Sequence, residues 1–386
     1  MKKIYFDNAA STPIDPQVLN ELAKQLKDNF GNSESLHFAG QLANKFLKKS
    51  RSVIAKVIKA KNNEIIFTSS ATESNNLAIF GIAEQYKGKD KTIIVSSIEH
   101  ESVLDPAKEL EKQGFKIKIA PVDKFGIIKL KELEKLIDND TILISIMHAN
   151  NEIGTMEPIN EIAKLCHKHN VLLHTDAAQT LGKTKIDVKK LGVDLLTGSS
   201  HKIYGPKGAA FLYVKSGIKI EPQILGGGQE FGLRSSSVNV PAIAAFAKAL
   251  EIADQETENE QKKIRKLSDY LIKQILAKIP NSYLTGHPKK RLANINSFRF
   301  SFVEGESILM MLNEKGIAVS TGSACSTKDL QASHVLLALG LTPDQAHGSL
   351  RISLGRFNTM SEINYLIKVL PKIIKKLRKI SPYSNK

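Results

Sequence analysis

Cysteine is scarce in this chain: only Cys166 and Cys325 occur in 386 residues. Two cysteines build no disulfide framework, and neither lies in a CxxC or Cys/His spacing that would hold zinc. Long apolar runs are missing as well. No stretch has the length of uninterrupted apolar residues needed to span a bilayer. The N-terminus, MKKIYFDNAAS, carries two lysines but no apolar signal core. The expected setting is the cytoplasm, with reduced thiols and no membrane partner. Acidic residues are also few, 39 against 55 basic, for a formal charge of +16. Such an excess favours acidic partners. The lysines of KDKTIIV, KLKELEKL and KKIRKLSDYLIKQ fall between apolar positions, as solvated faces do, so the charge is read as dispersed. No aromatic stacking platform or recognition motif accompanies it, and direct nucleic-acid binding is not expected.

What is present is ordinary globular composition, 42% hydrophobic and 24% charged, long enough for two or three domains. DPQVLNELAKQLKDNFG reads as a helix capped by Asp15, with Pro16 in its first turn and a stop at Gly31. Its Val18, Leu19, Leu22, Leu26 and Phe30 form one stripe. Six apolar strand segments follow: EIIFTSS, KTIIVSS, TILISIMH, VLLHTD, VDLLTGSS and AAFLYVK. Helical patterns separate most of them, which predicts an α/β fold with a mainly parallel sheet covered on both faces. After about Gln255 a charged helical run leads into NINSFRFSF, ESILMMLNEKG, IAVSTG and SLRISLG, then two last helical stretches. This predicts a smaller C-terminal α+β domain. The ending LPKIIKKLRKI reads as a terminal helix packing one apolar face.

In open α/β sheets, ligands bind beyond the carboxyl ends of strands. Here those ends are polar. EIIF runs into Thr68-Ser69-Ser70, then Ala71-Thr72 opens a helix whose free amides suit a phosphate, although Thr72 also suits a plain N-cap. The next strand ends near Glu99-His100, the next at Asn150-Asn151, the next at Asp176-Ala177-Ala178-Gln179, and the last at Ser199-Ser200-His201-Lys202. A lysine can form an imine with a carbonyl cofactor. An aspartate can keep a pyridinium nitrogen protonated. A histidine can lie over a flat ring, while Ser199, His201 and the Thr72 amide hold a phosphate. Together these parts describe a pyridoxal phosphate site. Cys166 stands four residues after Ile162 on the apolar side of a helix, as an inert buried thiol does. Cys325 lies among small polar residues in STGSACSTK.

The runs FTSSATESNN, EHESV, MHANNEIGT, HTDAAQ and SSHKIYGPKG resemble the class V branch of fold-type I pyridoxal-phosphate enzymes. The tail, STGSACS with SHVLLALG and SLRISLGRFNT, is similar to cysteine desulfurases of the NifS/IscS group, and the match runs from DNAAST at Asp7 to the end. The resemblance implies a large cofactor domain over 13–256 with a seven-stranded sheet, and a small domain from 1–12 and 257–386. It implies that Lys202, not Lys207, forms the imine. Asp176 meets the ring nitrogen, Gln179 the phenolic oxygen, and His100 the ring face. Ala71, Thr72, Ser199 and His201 hold the phosphate. Asn151 and Arg351 meet the substrate, L-cysteine, and Cys325 takes its sulfur as a persulfide, leaving alanine. A homodimer is implied too. In the family a hydroxyl from a segment like RSGTEN crosses to the partner's phosphate. Here that segment reads RSSSVN, with Ser237 as the hydroxyl and Ser236 where the family has glycine. The sulfur would go to acceptor proteins such as an iron–sulfur scaffold or a tRNA-thiolating enzyme. Selenocysteine cleavage, transamination of a small amino acid and a silent scaffold of the same fold are the alternatives. A transaminase has no need of Cys325, and intact Lys202, Asp176 and His100 argue against a silent scaffold.

Overall fold

The computed structural model describes residues 3–86, 90–321 and 332–381. Its centre is a seven-stranded sheet in the order Ile65–Thr68, Ala210–Val214, Leu195–Ser199, Leu172–Asp176, Thr141–Ser145, Thr92–Ser96 and Lys116–Ala120. All neighbours are parallel except at Ala210–Val214, which runs antiparallel to both of its own. The sheet is therefore mixed but mainly parallel. Five of its strands are buried at every residue along their length. That is why they read as continuous apolar runs. Alternate residues serve two separate cores. Ile94, Ile144, Leu173 and Leu196 face the helices Phe38–Ile58, Ile159–Lys168 and the first half of Val240–Lys278. Ile93, Val95, Leu143 and Leu195 face Ala71–Gln85 and Glu101–Lys112.

The seventh strand, Lys116–Ala120, is not among the six apolar segments of the sequence. It is an edge strand of alternating Lys and Ile, with Ile119 half-exposed. Lysines on an open edge oppose pairing with another chain, and they also erase the apolar signal. The opposite edge is closed by an ion pair. Arg51 and Glu230 are buried and paired at 2.7 Å, Arg51 donates to Ile65 O, and Glu230 Oε2 accepts from Phe67 N at 2.8 Å.

A third core holds Ile4, Phe6, Ile264, Leu271, Phe298, Leu350 and Ile363. It lies between helices and an antiparallel sheet of Ser349–Ser353, Ile295–Phe300 and Ser282–Leu284, with Ile4–Tyr5 paired in parallel to Ile317–Ala318. The pattern change near Gln255 is not a break in the backbone. One 39-residue helix, Val240–Lys278, runs straight through it. Its first half packs on the large sheet and its second half in the third core, so the buried face changes while the helix continues.

Asp15 caps Pro16–Asp28 as its sequence predicts, accepting from Gln17 N. The helix ends at Asp28 rather than at Gly31, so Phe30 lies beyond it, 78% exposed; on the helix Val18 is buried but Leu26 is 61% exposed. The two terminal helical stretches are one helix, Met360–Ile380, with Pro371 inside it and one face buried. Among the described residues no helix is long and apolar enough to cross a membrane.

Candidate active site

Four parallel strands deliver polar groups to one end of the large sheet. Leu195–Ser199 passes into a short turn, Ser200–Lys202, which turns the Lys202 side chain toward the N-terminal segment 7–12. There the amine donates to Ala9 O at 2.8 Å and Ala10 O at 2.7 Å. The turn is tight: a Cβ on Gly205 would lie 2.1 Å from Ser200 Oγ, so the Gly-Pro after the lysine is a packing requirement. His201 Nδ1 meets Ser11 Oγ at 3.2 Å, and burial, with Lys202, Lys207 and Lys183 nearby, pushes it down to about 4. It is a neutral ring at physiological pH.

Asp176 closes the strand Leu172–Asp176 and is buried. Its Oδ1 accepts from Ala178 N at 2.8 Å, and its Oδ2 from Asn75 Nδ2 at 2.8 Å. The same Asn75 nitrogen reaches Ser102 Oγ at 2.8 Å, and Ser102 Oγ lies 2.9 Å from His100 Nδ1. A continuous chain thus joins Asp176 to His100 through two residues the sequence did not single out. Asn75 sits in the second turn of Ala71–Gln85, fully buried on the sheet side of the helix. A buried amide inside an apolar face was the available signal. His100 itself caps Glu101–Lys112, accepting from Ser102 N.

Gln179 Nε2 donates to Ala9 O at 2.9 Å, the carbonyl that Lys202 also uses. Asn150 folds the next turn, its Oδ1 accepting from Glu152 N and Ile153 N. That places the carbonyl of Asn151 2.9 Å from Arg351 Nη1. Arg351 is buried, and its Nη2 pairs with Asp7 Oδ1 at 2.9 Å, while its Nε finds no partner among the described residues. Glu152, next door, is pushed up to about 7 by burial, and its Oε2 accepts from Ser333 Oγ at 2.6 Å. The segment Asp7 to Thr12 touches four of the candidates: Arg351, Gln179, Lys202 and His201. The sequence marked where it begins but gave it no role.

Ser70, not Thr72, is the N-cap of Ala71–Gln85, its hydroxyl accepting from Glu73 N. The Ala71 and Thr72 amides therefore lie in the first turn, where the helix offers no carbonyl. Beside them, Thr72, Asn76, His100 and Ser102 line a depression of about 450 Å³. The buried hydroxyls of Ser199 and Ser200 have no partner among the described residues. Unsatisfied buried hydroxyls at a strand end are costly unless an acceptor completes them. With the open helix turn, a lysine amine and a buried carboxylate, they fit pyridoxal phosphate. Ser237 is exposed. Its segment is tied to the helix start by Arg234 and Glu73, 2.6 Å apart, and Ser236 takes a φ of 150°, a glycine conformation. Cys325 lies outside the described residues. Cys166 is buried, and burial pushes its thiol up to about 12. No group of three or more His, Cys, Asp or Glu among the described residues could hold a metal ion.

Residues 4–366 match the family model for class-V aminotransferases. The chain is 49% identical to cysteine desulfurase IscS 1 of Archaeoglobus fulgidus, covering 98% of each. A solved NifS-like protein superposes with a TM-score of 0.91 at 40% identity, over 97% of this chain and all of that one. A second structure, SspA in complex with cysteine, gives 0.83 at 34% identity, over 93% of this chain and all of that one. The chain belongs to the class-V aminotransferase family, a family of pyridoxal-phosphate enzymes. Within it, the chain is a cysteine desulfurase of the IscS/NifS kind.

Proposed function

We propose that this enzyme takes the sulfur of L-cysteine onto Cys325 and releases alanine. In the net step the carbon–sulfur bond of the substrate breaks and a sulfur–sulfur bond forms at Cys325. The substrate carbon takes a proton, so no outside oxidant or reductant enters. When bound, pyridoxal phosphate supplies an aldehyde for amine capture and a ring that spreads negative charge. The chain's own residues do the rest. Lys202 would hold the cofactor, and its amine would take the α-proton of the substrate. Asp176, fixed by Asn75 and the Ala178 amide, would face the ring nitrogen. His100 covers the ring face and carries protons. Gln179 serves the phenolic oxygen. Ala71, Thr72, Ser199 and His201 take the phosphate. Asn151 and the Arg351 guanidinium orient the substrate carboxylate, for which a planar fork is suited. The observation that carries this reading is the convergence of two bonded networks at the strand ends, Lys202 with Gln179 on the Ala9 carbonyl and Asp176 with His100 through Asn75 and Ser102.

The working form is a homodimer, with Ser237 lent to the partner's phosphate. Its support is a set of strongly exposed apolar residues, Phe30, Leu36, Phe38 and Leu225, that a monomer would leave in water. The positive charge suits acidic sulfur acceptors, an iron–sulfur scaffold or a tRNA-thiolating enzyme, in the reducing cytoplasm. The test is incubation with L-cysteine, with alanine and protein-bound persulfide measured together. Wild type yields both; Cys325→Ala loses persulfide and turnover, and Lys202→Ala gives neither. Undiminished alanine from Cys325→Ala would overturn the assignment of the sulfur to that thiol.

A further inference from the structure

A second lysine lies behind the first. Lys183 is buried, 6% exposed, just past the Gln179 turn. Its amine donates to Gln179 Oε1 at 3.4 Å. Gln179 Nε2 donates to Ala9 O, and Lys202 donates to that same carbonyl. Lys183 and Lys202 are thus the two ends of one short hydrogen-bonded path. The charged groups that face Lys183 are few. Lys202 opposes its proton and Glu260, on the long helix, favours it. Glu260 is itself committed to Arg356 Nε at 2.9 Å and Tyr204 OH at 3.3 Å. His201 feels Lys183, Lys202 and Lys207 together, and stays neutral. Burial first and Lys202 second push Lys183 down to about 7. A lysine is an expensive way to hold a glutamine in place, since burial disfavours its charge. A neighbouring cation is, however, a direct way to make another lysine's amine shed its proton.

We propose that Lys183 is a positioning residue for Lys202: it orients the Gln179 amide that shares the Ala9 carbonyl, and its charge opposes a proton on the attachment amine. The inference rests on Lys202 being the residue that carries the cofactor. The two ideas separate by experiment. Borohydride trapping and peptide mapping of wild type come first; a tag anywhere but Lys202 sinks the reading of Lys202. Cofactor-loaded Lys183→Met, Lys183→Gln and Lys183→Arg are then titrated by visible absorbance from about pH 5 to about pH 10. Removing the cation favours the protonated linkage, so the midpoint rises by about one unit in the Met and Gln variants. The Arg variant keeps its charge and titrates at or below wild type. Lys183→Gln keeps a polar group beside Gln179 and bears the test if the Met variant does not fold. A tag on Lys202 with unmoved midpoints, even with lowered melting temperatures, overturns the role of Lys183.

Discussion

Asn75 uses one amide nitrogen for two acceptors, Asp176 Oδ2 and Ser102 Oγ, and is fully buried. The bond to Asp176 is charge-assisted, a kind worth about 1.5–3 kcal/mol in mutational series. Asn75→Ala removes it and frees the carboxylate to turn. The expected result is cofactor affinity weakened by about tenfold to a hundredfold, together with a lower melting temperature of the apoprotein, because a buried bond is lost in both states. An absorbance titration of apoprotein with pyridoxal phosphate measures it, and unchanged affinity would show that Ala178 N alone fixes Asp176. Arg351 tells a related story at the substrate side. Its fork is already engaged by Asp7 and the Asn151 carbonyl. A carboxylate arriving there meets a guanidinium held in place, whose Nε has no partner among the described residues.

Among the elements, the strand Ile65–Thr68 matters most, because it feeds the helix that presents the Ala71 and Thr72 amides. It is an outer strand, yet its outward backbone groups are not left to solvent. Arg51 and Glu230 answer them, and Arg51 also lies over the Phe67 ring at 4.7 Å. Removing one partner of a buried pair strands the other charge, at a cost of about 3–5 kcal/mol. Urea unfolding of Arg51→Met is expected to show that loss with an unchanged m-value; a loss under about 1 kcal/mol would mean that water replaces the guanidinium. None of this was visible in the sequence, where Arg51 and Glu230 are 179 residues apart. What was legible follows a rule. Strands buried on both faces announce themselves as apolar runs, and the polar residues at their ends came with them: Asp176, Ser199 and Lys202. The Lys/Ile edge strand did not, because half its residues face solvent. Ser102 and the Ala9 carbonyl were hidden for another reason. Their roles come from long-range approach, and a backbone oxygen carries no side-chain signature. The stripe on Pro16–Asp28 misled in the opposite sense, since apolar spacing shows which face is apolar and not what covers it.

For the molecule as a whole, burial of ionisable groups sets the pH response. Glu99 is held well above the usual carboxylate range, foremost by burial, and Glu157 is pushed up to about 8 for the same reason. His148 and His174 are pushed down to about 4 by burial. The histidines bind protons more readily when unfolded, so they cost stability as pH falls from 6.5 toward 4. The carboxyls act the other way. A group whose folded value lies above its unfolded one keeps its proton longer in the folded state, and folding loses ground as pH climbs between the two. For Glu157 that window runs from the unfolded 4.5 to about 8. Its Oε2 accepts from Ile128 N at 2.9 Å, and its Oε1 has no partner among the described residues. Glu157→Gln keeps the acceptor and cannot ionise. Below about pH 4.5 the variant should match wild type, both carrying a neutral side chain there. From that point its advantage should grow to a few kcal/mol and level off near pH 8, as read from urea midpoints across the series. An offset that is the same at every pH would mean that wild-type Glu157 already titrates as an ordinary carboxyl, with water reaching its unpaired oxygen.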